Sequence, residues 1–375
     1  MKIPQSRPDI GPLERKAVDE VVTSGVLSLG PRLREFEQRF RERLGVRHAM
    51  AVSSGTAALH LCVRAFGITE GDEVITTPFS FVASANCIEF ERAVPRFVDI
   101  DPETLNIDPA CIEAAIGPRT RAILPVHVFG HPAEGNAIVE IARRHGLRVI
   151  EDACEALGGA WQGQAVGTMG DAAVFGFYPN KQITCGEGGM VVTDDDEAAV
   201  LIDSMRNQGR SDDGGWLRHE RLGYNYRLDE MSAAIGEVQM RRLDALLEAR
   251  AQVAARYDAL CADLPGVTLP PRRAGAQVSW FVYVIRLDAR FDRDEVMRRL
   301  DARGVQCRPY FPSIHLQPYY ARRYGYRDGD FPIAEAASAR SLSLPFFGTM
   351  TDEEQVYVRD MLAAVLVELA PAPVR

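Results

Sequence analysis

Lysine is almost missing from this chain. Its 375 residues contain three, Lys2, Lys16 and Lys181, against an abundance of arginine. Arginine keeps its proton at any working pH, whereas lysine can lose one and form a Schiff base. Lys181 lies beyond the apolar run A-A-V-F-G-F-Y and before Gly186, Gly188 and Gly189. That setting singles it out as a covalent anchor; the alternative is a solvated surface lysine.

Other absences narrow the class. No Gly-x-Gly-x-x-Gly follows the first predicted strand and no Gly-x-x-x-x-Gly-Lys-Ser/Thr occurs, which argues against dinucleotide and P-loop sites. No His/Cys/carboxylate spacing suits a metal, and there is no Gly-x-Ser-x-Gly nucleophile turn. The seven cysteines, Cys62, Cys87, Cys111, Cys154, Cys185, Cys261 and Cys307, are scattered without a Cys-x-x-Cys pair. They read as reduced thiols, with Cys154 and Cys185 as packed small residues. The opening M-K-I-P-Q-S-R-P-D lacks the apolar core of a signal peptide, and no apolar run is long enough to span a bilayer. A soluble, cytoplasmic protein with no membrane partner is expected. The net charge of -9 argues against nucleic acid as a partner, but not against a small anionic substrate.

What is present describes a globular chain with ample core, 46% hydrophobic and 25% charged. The length suggests a large domain and a smaller one, placed at 1–245 and 246–375. Helical spacing marks residues 11–24. It also marks 31–44, where Leu33, Phe36, Phe40 and Leu44 share a face and Gly45 closes the helix. From His48 to Asp152 strands alternate with helices, the pattern of an α/β fold with a doubly wound, mostly parallel sheet. Residues 207–222 form a long polar loop. From Asp229 one long amphipathic helix connects to a smaller α+β C-terminal domain. The tail A-P-A-P-V-R is of low complexity.

In such sheets ligands gather at the C-terminal ends of strands. Asp152, Phe79 or Phe81, the Ser53–Thr56 turn and His127 all lie near such ends, so one crevice is expected to hold them. Ser54, Gly55 and Thr56, between a strand and a helix, suit an anion; an ordinary N-cap is the plainer reading. A lysine, a carboxylate, an anion-binding turn and an aromatic ring together suit pyridoxal 5'-phosphate. The lysine takes its aldehyde, the carboxylate keeps its pyridine nitrogen protonated, the turn takes its phosphate and the ring stacks on it.

S-S-G-T-A-A-L, E-D-A-C-E-A-L-G, F-Y-P-N-K-Q-I-T-C-G-E-G-G, R-N-Q-G-R, L-G-Y-N-Y-R-L-D-E-M-S-A-A-I-G and F-P-S-I-H-L-Q-P-Y-Y occur in that order. Along nearly its whole length the chain thereby resembles the DegT/DnrJ/EryC1/StrS sugar aminotransferases, which share the fold-type I, aspartate aminotransferase-like architecture. The resemblance implies a seven-stranded sheet and a pyridoxal 5'-phosphate cofactor. Lys181 matches the Schiff-base lysine that also shuttles a proton, and Asp152 the partner of the pyridine nitrogen. Phe81 rather than Phe79 matches the stacking aromatic, and Ser54, Gly55 and Thr56 the phosphate turn. Asn225 matches a residue that reaches the cofactor phosphate of a neighbouring subunit, which implies a homodimer with shared active sites. His315, Tyr310 and Arg227 are candidates on the substrate side.

Two positions depart from the commoner pattern. Glu155 stands where many members have Gln, near the cofactor's phenolic oxygen. Gly176 stands where many have a phosphate-binding Ser, so a hydrogen bond must come from Ser54, Thr56 or Asn180. The implied reaction transfers an amino group from glutamate to a keto carbon of a nucleotide-linked sugar. C4 of a 4-keto-6-deoxyhexose is preferred, because perosamine synthase-like members also carry Glu at the Glu155 position. A cyclitol ketone is the alternative. A dehydratase of the same family would replace Lys181, usually by His; a cysteine desulfurase-like lyase would need a mobile Cys. A regulator would need an added DNA-binding domain for which the chain has no room.

Overall fold

The computed structural model describes residues 1–211 and 217–370. The middle of the polar 207–222 stretch and all but the first residue of the A-P-A-P-V-R tail lie outside the described residues.

Seven strands form the main sheet: β1 (His48–Val52), β2 (Glu73–Thr76), β3 (Val94–Phe97), β4 (Thr120–Ile123), β5 (Arg148–Asp152), β6 (Ala172–Gly176) and β7 (Gly189–Thr193). Their order is β1-β7-β6-β5-β4-β2-β3. β7 runs antiparallel to both its neighbours and the other pairs are parallel. Parallel strands are covered on both faces, so they read as apolar runs. One face packs on the helix Gly55–Ala65 and the helix Asp196–Arg206. The other meets the helices Pro31–Leu44 and Glu230–Arg241. There Phe36 and Phe40 pack on Phe175 and Phe177, with ring centroids 5.2 to 5.6 Å apart. Gly45 closes the helix Pro31–Leu44 with a φ of 69°, as its place after the last apolar residue suggests.

A second core surrounds a three-stranded antiparallel sheet of Val267–Thr268, Tyr283–Leu287 and Ser341–Leu344. The helices Leu243–Cys261 and Asp352–Leu369 flank it. Ile3, from the start of the chain, packs in this core and bridges to Val305.

The single long helix expected from Asp229 is two. Glu230–Arg241 and Leu243–Cys261 meet at Arg242, a turn residue between them (φ −94°, ψ −1°). The Arg242 guanidinium is held there by Asp9 at 2.9 Å and Glu14 at 2.5 Å. Periodicity alone does not reveal this bend, because its cause lies more than 200 residues away in sequence. Among the described residues no helix is long and apolar enough to cross a membrane.

Candidate active site

The alternation of β6 sends Phe175 toward the helix Pro31–Leu44 and Val174 to the opposite core; Gly176, two residues on, faces a cavity. The chain then folds into a closed turn. Phe177 N–H donates to the Gly188 carbonyl at 3.0 Å, and Lys181 N–H to the Tyr178 carbonyl at 2.9 Å. The Thr184 hydroxyl donates to the Phe177 carbonyl at 2.9 Å. Gly189 then enters β7 directly against the Ser54 carbonyl, where a Cβ would stand 2.5 Å from the oxygen. The glycine cluster therefore joins the lysine turn to the helix start at Ser54.

Arg250 holds the same turn from the second core. It is buried, and its guanidinium donates to the carbonyls of Lys181 at 2.8 Å and Asn180 at 3.4 Å, and to those of Phe281 and Trp280 at 3.1 and 3.4 Å. Burial lowers its pKa to about 10. Its partners are carbonyl dipoles, so it knits two backbone segments together.

The cavity measures about 530 Å³ and has Ser54, Gly55, Thr56, Phe81, Asp152, Glu155, Lys181 and Tyr310 on its walls. The Lys181 amine lies 3.4 Å from Glu155 Oε1 and 3.9 Å from the centroid of the Phe281 ring. Glu155 Oε2 accepts the Phe129 N–H at 2.9 Å. Asp152 ends β5 at 6% exposure and accepts the Cys154 N–H at 3.2 Å. Burial raises the pKa of both carboxyls, and the Lys181 charge opposes that rise in each. Tyr310 faces Asn180 across 3.4 Å. Ser54 is an N-cap whose hydroxyl accepts the Ala57 N–H at 3.1 Å, so the cap and the cavity-lining role coexist. Phe79 is wholly buried, whereas Phe81 is 61% exposed on the cavity rim.

These walls fit pyridoxal 5'-phosphate. A primary amine is present for an aldehyde, and a buried carboxylate with a single backbone donor is present for a protonated ring nitrogen. The start of the helix Gly55–Ala65 opens beside Gly176, and neither Gly55 nor Gly176 puts a side chain into the space. Cys154 packs behind both: its sulfur lies 2.8 Å from where a Gly55 Cβ would be and 3.4 Å from one on Gly176. Cys154 thus belongs to the cavity wall, unlike Cys185, which is a packed core residue.

Residues 8–363 match the model of the DegT/DnrJ/EryC1/StrS aminotransferase family. The chain belongs to that family. The DegT/DnrJ/EryC1/StrS aminotransferases depend on pyridoxal 5'-phosphate. The spore coat polysaccharide biosynthesis protein SpsC of Bacillus subtilis is 39% identical over 97% of this chain and 96% of its own. GDP-perosamine synthase of Caulobacter vibrioides is 40% identical over 98% and 99%. The crystal structure of DesV from S. venezuelae, solved with a ketimine intermediate, superposes with a TM-score of 0.90. It is 36% identical and covers 97% of this chain and 98% of that one. An aminotransferase with a seven-stranded fold-type I sheet is therefore the right description of this protein.

Four expected residues are not on the cavity wall. His127 is buried, with Nε2 3.0 Å from Glu151 and Nδ1 accepting the Ala133 N–H. Glu151 points away from Asp152 by strand alternation and takes the N–H groups of Gly167, Met169 and Gly170. His127 thus supports β5 from behind, and the crevice expected to hold it does not. His315 is fully buried, 3.0 Å from Glu335 and edge-on to Phe331. Asn225 is exposed, flanked by the stacked rings of Tyr224 and Tyr226, 4.9 Å apart. Arg227 bonds Asn207 at 2.9 Å and lines a separate small cavity with Glu37 and Arg206. Phe281, Phe311 and Glu187 line the main cavity, and sequence reasoning missed them. The one signal available was Arg250, a charge placed on the apolar side of its helix.

Proposed function

We propose that this chain is a pyridoxal 5'-phosphate-dependent sugar aminotransferase. It takes an amino group from glutamate and delivers it to a keto carbon of a nucleotide-linked sugar, C4 of a 4-keto-6-deoxyhexose. The observation that carries the reading is the Lys181 amine facing two buried carboxyls in one cavity beside an open helix start. The 40% identity to GDP-perosamine synthase supports a nucleotide-linked sugar as the acceptor.

The bound cofactor supplies an aldehyde and a ring that accepts electrons. Lys181 Nζ would hold it covalently and would carry the proton moved between carbon atoms. Asp152 keeps a proton on the ring nitrogen; its burial makes that charge pairing strong. Thr56, the Gly55 backbone and the Ser54 turn take the phosphate at the helix start. Phe81 covers one ring face. Tyr310 lies on the same wall and meets the substrate.

A second copy of the chain completes the site. Neither Asn225 nor Arg227 lines the cavity of its own chain, and Asn225 is exposed. Val22, Val26, Leu27 and Leu29, on the first helix and the loop after it, are exposed apolar residues suited to burial against a partner. A homodimer with shared active sites follows, with Asn225 reaching the partner's phosphate.

The test is a panel of UDP-, dTDP- and GDP-linked 4-keto and 3-keto sugars with glutamate as donor. Turnover of a 4-keto sugar is expected. Turnover confined to a cyclitol ketone would replace the sugar as acceptor. A protein without a visible absorbance band that borohydride abolishes would sink the cofactor assignment.

A further inference from the structure

We infer that Glu155 takes one proton from Lys181 when the lysine is loaded, and so keeps the summed charge of these two buried side chains unchanged; this rests on the cofactor reading above. The geometry comes first. Glu155 Oε1 stands 3.4 Å from Lys181 Nζ, and both side chains are largely shielded from water, at 6% and 15% exposure. Glu155 Oε2 is pinned by the Phe129 N–H at 2.9 Å, and its own backbone carbonyl is held by the Gln182 amide. The Gln182 contact fixes the backbone, and the carboxyl cannot swing out to solvent without losing the Phe129 hydrogen bond and the Lys181 contact.

The charges around it leave one exchange available. Lys181, Asp152, Cys154 and Tyr310 are the titratable groups facing Glu155. Phe281 offers only its ring face to the ammonium. Arg250, behind the turn, spends its donors on carbonyls. Two buried carboxyls therefore lean on one lysine charge. Only a neutral amine attacks an aldehyde. When it does, the nitrogen–carbon bond forms and the carbonyl oxygen leaves as water. The ammonium proton needs an acceptor within reach, and Oε1 is the atom placed to take it. Glu155 has then lost its cation. Remaining ionised beside Asp152 in a desolvated site is costly, so it keeps the proton as a carboxylic acid. Glutamine at this position has no ionisable proton and cannot make this exchange.

The experiment compares the full-length protein with Glu155→Gln in two measurements. In cofactor-free protein, acetic anhydride labelling of Lys181 is followed by mass spectrometry across pH. Removing the carboxylate disfavours the ammonium, so the Glu155→Gln midpoint is expected to fall and labelling at neutral pH to rise several-fold. In the second measurement, pyridoxal 5'-phosphate binding is followed calorimetrically in buffers of different ionisation enthalpy. Wild type is expected to release about one proton per site fewer than Glu155→Gln. Equal labelling midpoints or equal proton counts would overturn the inference. Failure of the cofactor to bind either protein would instead remove the cofactor reading, and the labelling comparison would still decide whether the two side chains are coupled. A thermal melt of each protein separates these results from misfolding.

Discussion

The Lys181 turn and the Tyr224–Arg227 segment both carry family motifs, yet they are built differently. Main-chain hydrogen bonds tie down both, but the first is also backed by the Arg250 side chain and seated between β6 and β7. Its side chains converge within one chain. The second is a loop whose aromatic residues stack inward and leave Asn225 outside. A residue that serves its own cavity is shielded and pKa-shifted, as Asp152 and Glu155 are. Asn225 pairs with Asn207 through its backbone and stays exposed, so its side chain is the part available to another chain. The contrast separates groups that meet within one chain from the contribution proposed for a second copy.

Breaking the first region has the largest expected effect. Lys181→Ala should lower kcat/KM by about 10⁴-fold and abolish the borohydride-sensitive band; turnover close to wild type would end the anchor assignment. Asp152→Asn comes next, with a loss on the order of 10³-fold in kcat. The same change should raise the melting temperature of the cofactor-free protein at pH 8. Its folded-state pKa is raised by burial, so the ionised form opposes folding above that pKa, and the penalty vanishes as pH falls. The melting gap between variant and wild type should therefore close in acid; a constant gap would contradict the desolvation argument.

The second region is tested by Asn225→Ala, expected to lose about 10²-fold in activity. Mixing that variant with Lys181→Ala should restore activity, because one cavity of a mixed dimer then has both residues intact. No recovery after subunit exchange would place Asn225 outside any shared site. The smallest effect on chemistry belongs to Arg250→Met, which sharpens the comparison by loosening the support of the turn. It should cost about 3 kcal/mol in denaturant unfolding, since four carbonyls lose their donor. It should also weaken cofactor retention more than Asn225→Ala does, as dialysis followed by absorbance would show.

Legibility followed range in sequence. Strand, turn and helix alternate in a local pattern, so β1 to β5 and the Ser54 cap could be read directly. Lys181 stood out through scarcity and its neighbours, and Asp152 through its place at a strand end. His127 shares that strand-end address, yet its ring turns to Glu151 because alternation decides which side of β5 it meets. His315 lies in a recognisable motif, but Glu335 and Phe331, each distant along the chain, hold it inside. The bend at Arg242 was unreadable for the same reason.

Sequence alone determined the chemical inventory: one lysine in a setting for covalent work, a carboxylate on the neighbouring strand, and a helix start open to an anion. Side-chain chemistry and short-range backbone preferences suffice for that. The tertiary structure decided which of these groups meet. It set Glu155 within reach of Lys181, laid Phe281 on the ammonium, and drew four carbonyls onto Arg250. Those contacts join segments many residues apart, and distance in space is set by packing of the two cores rather than by any local rule.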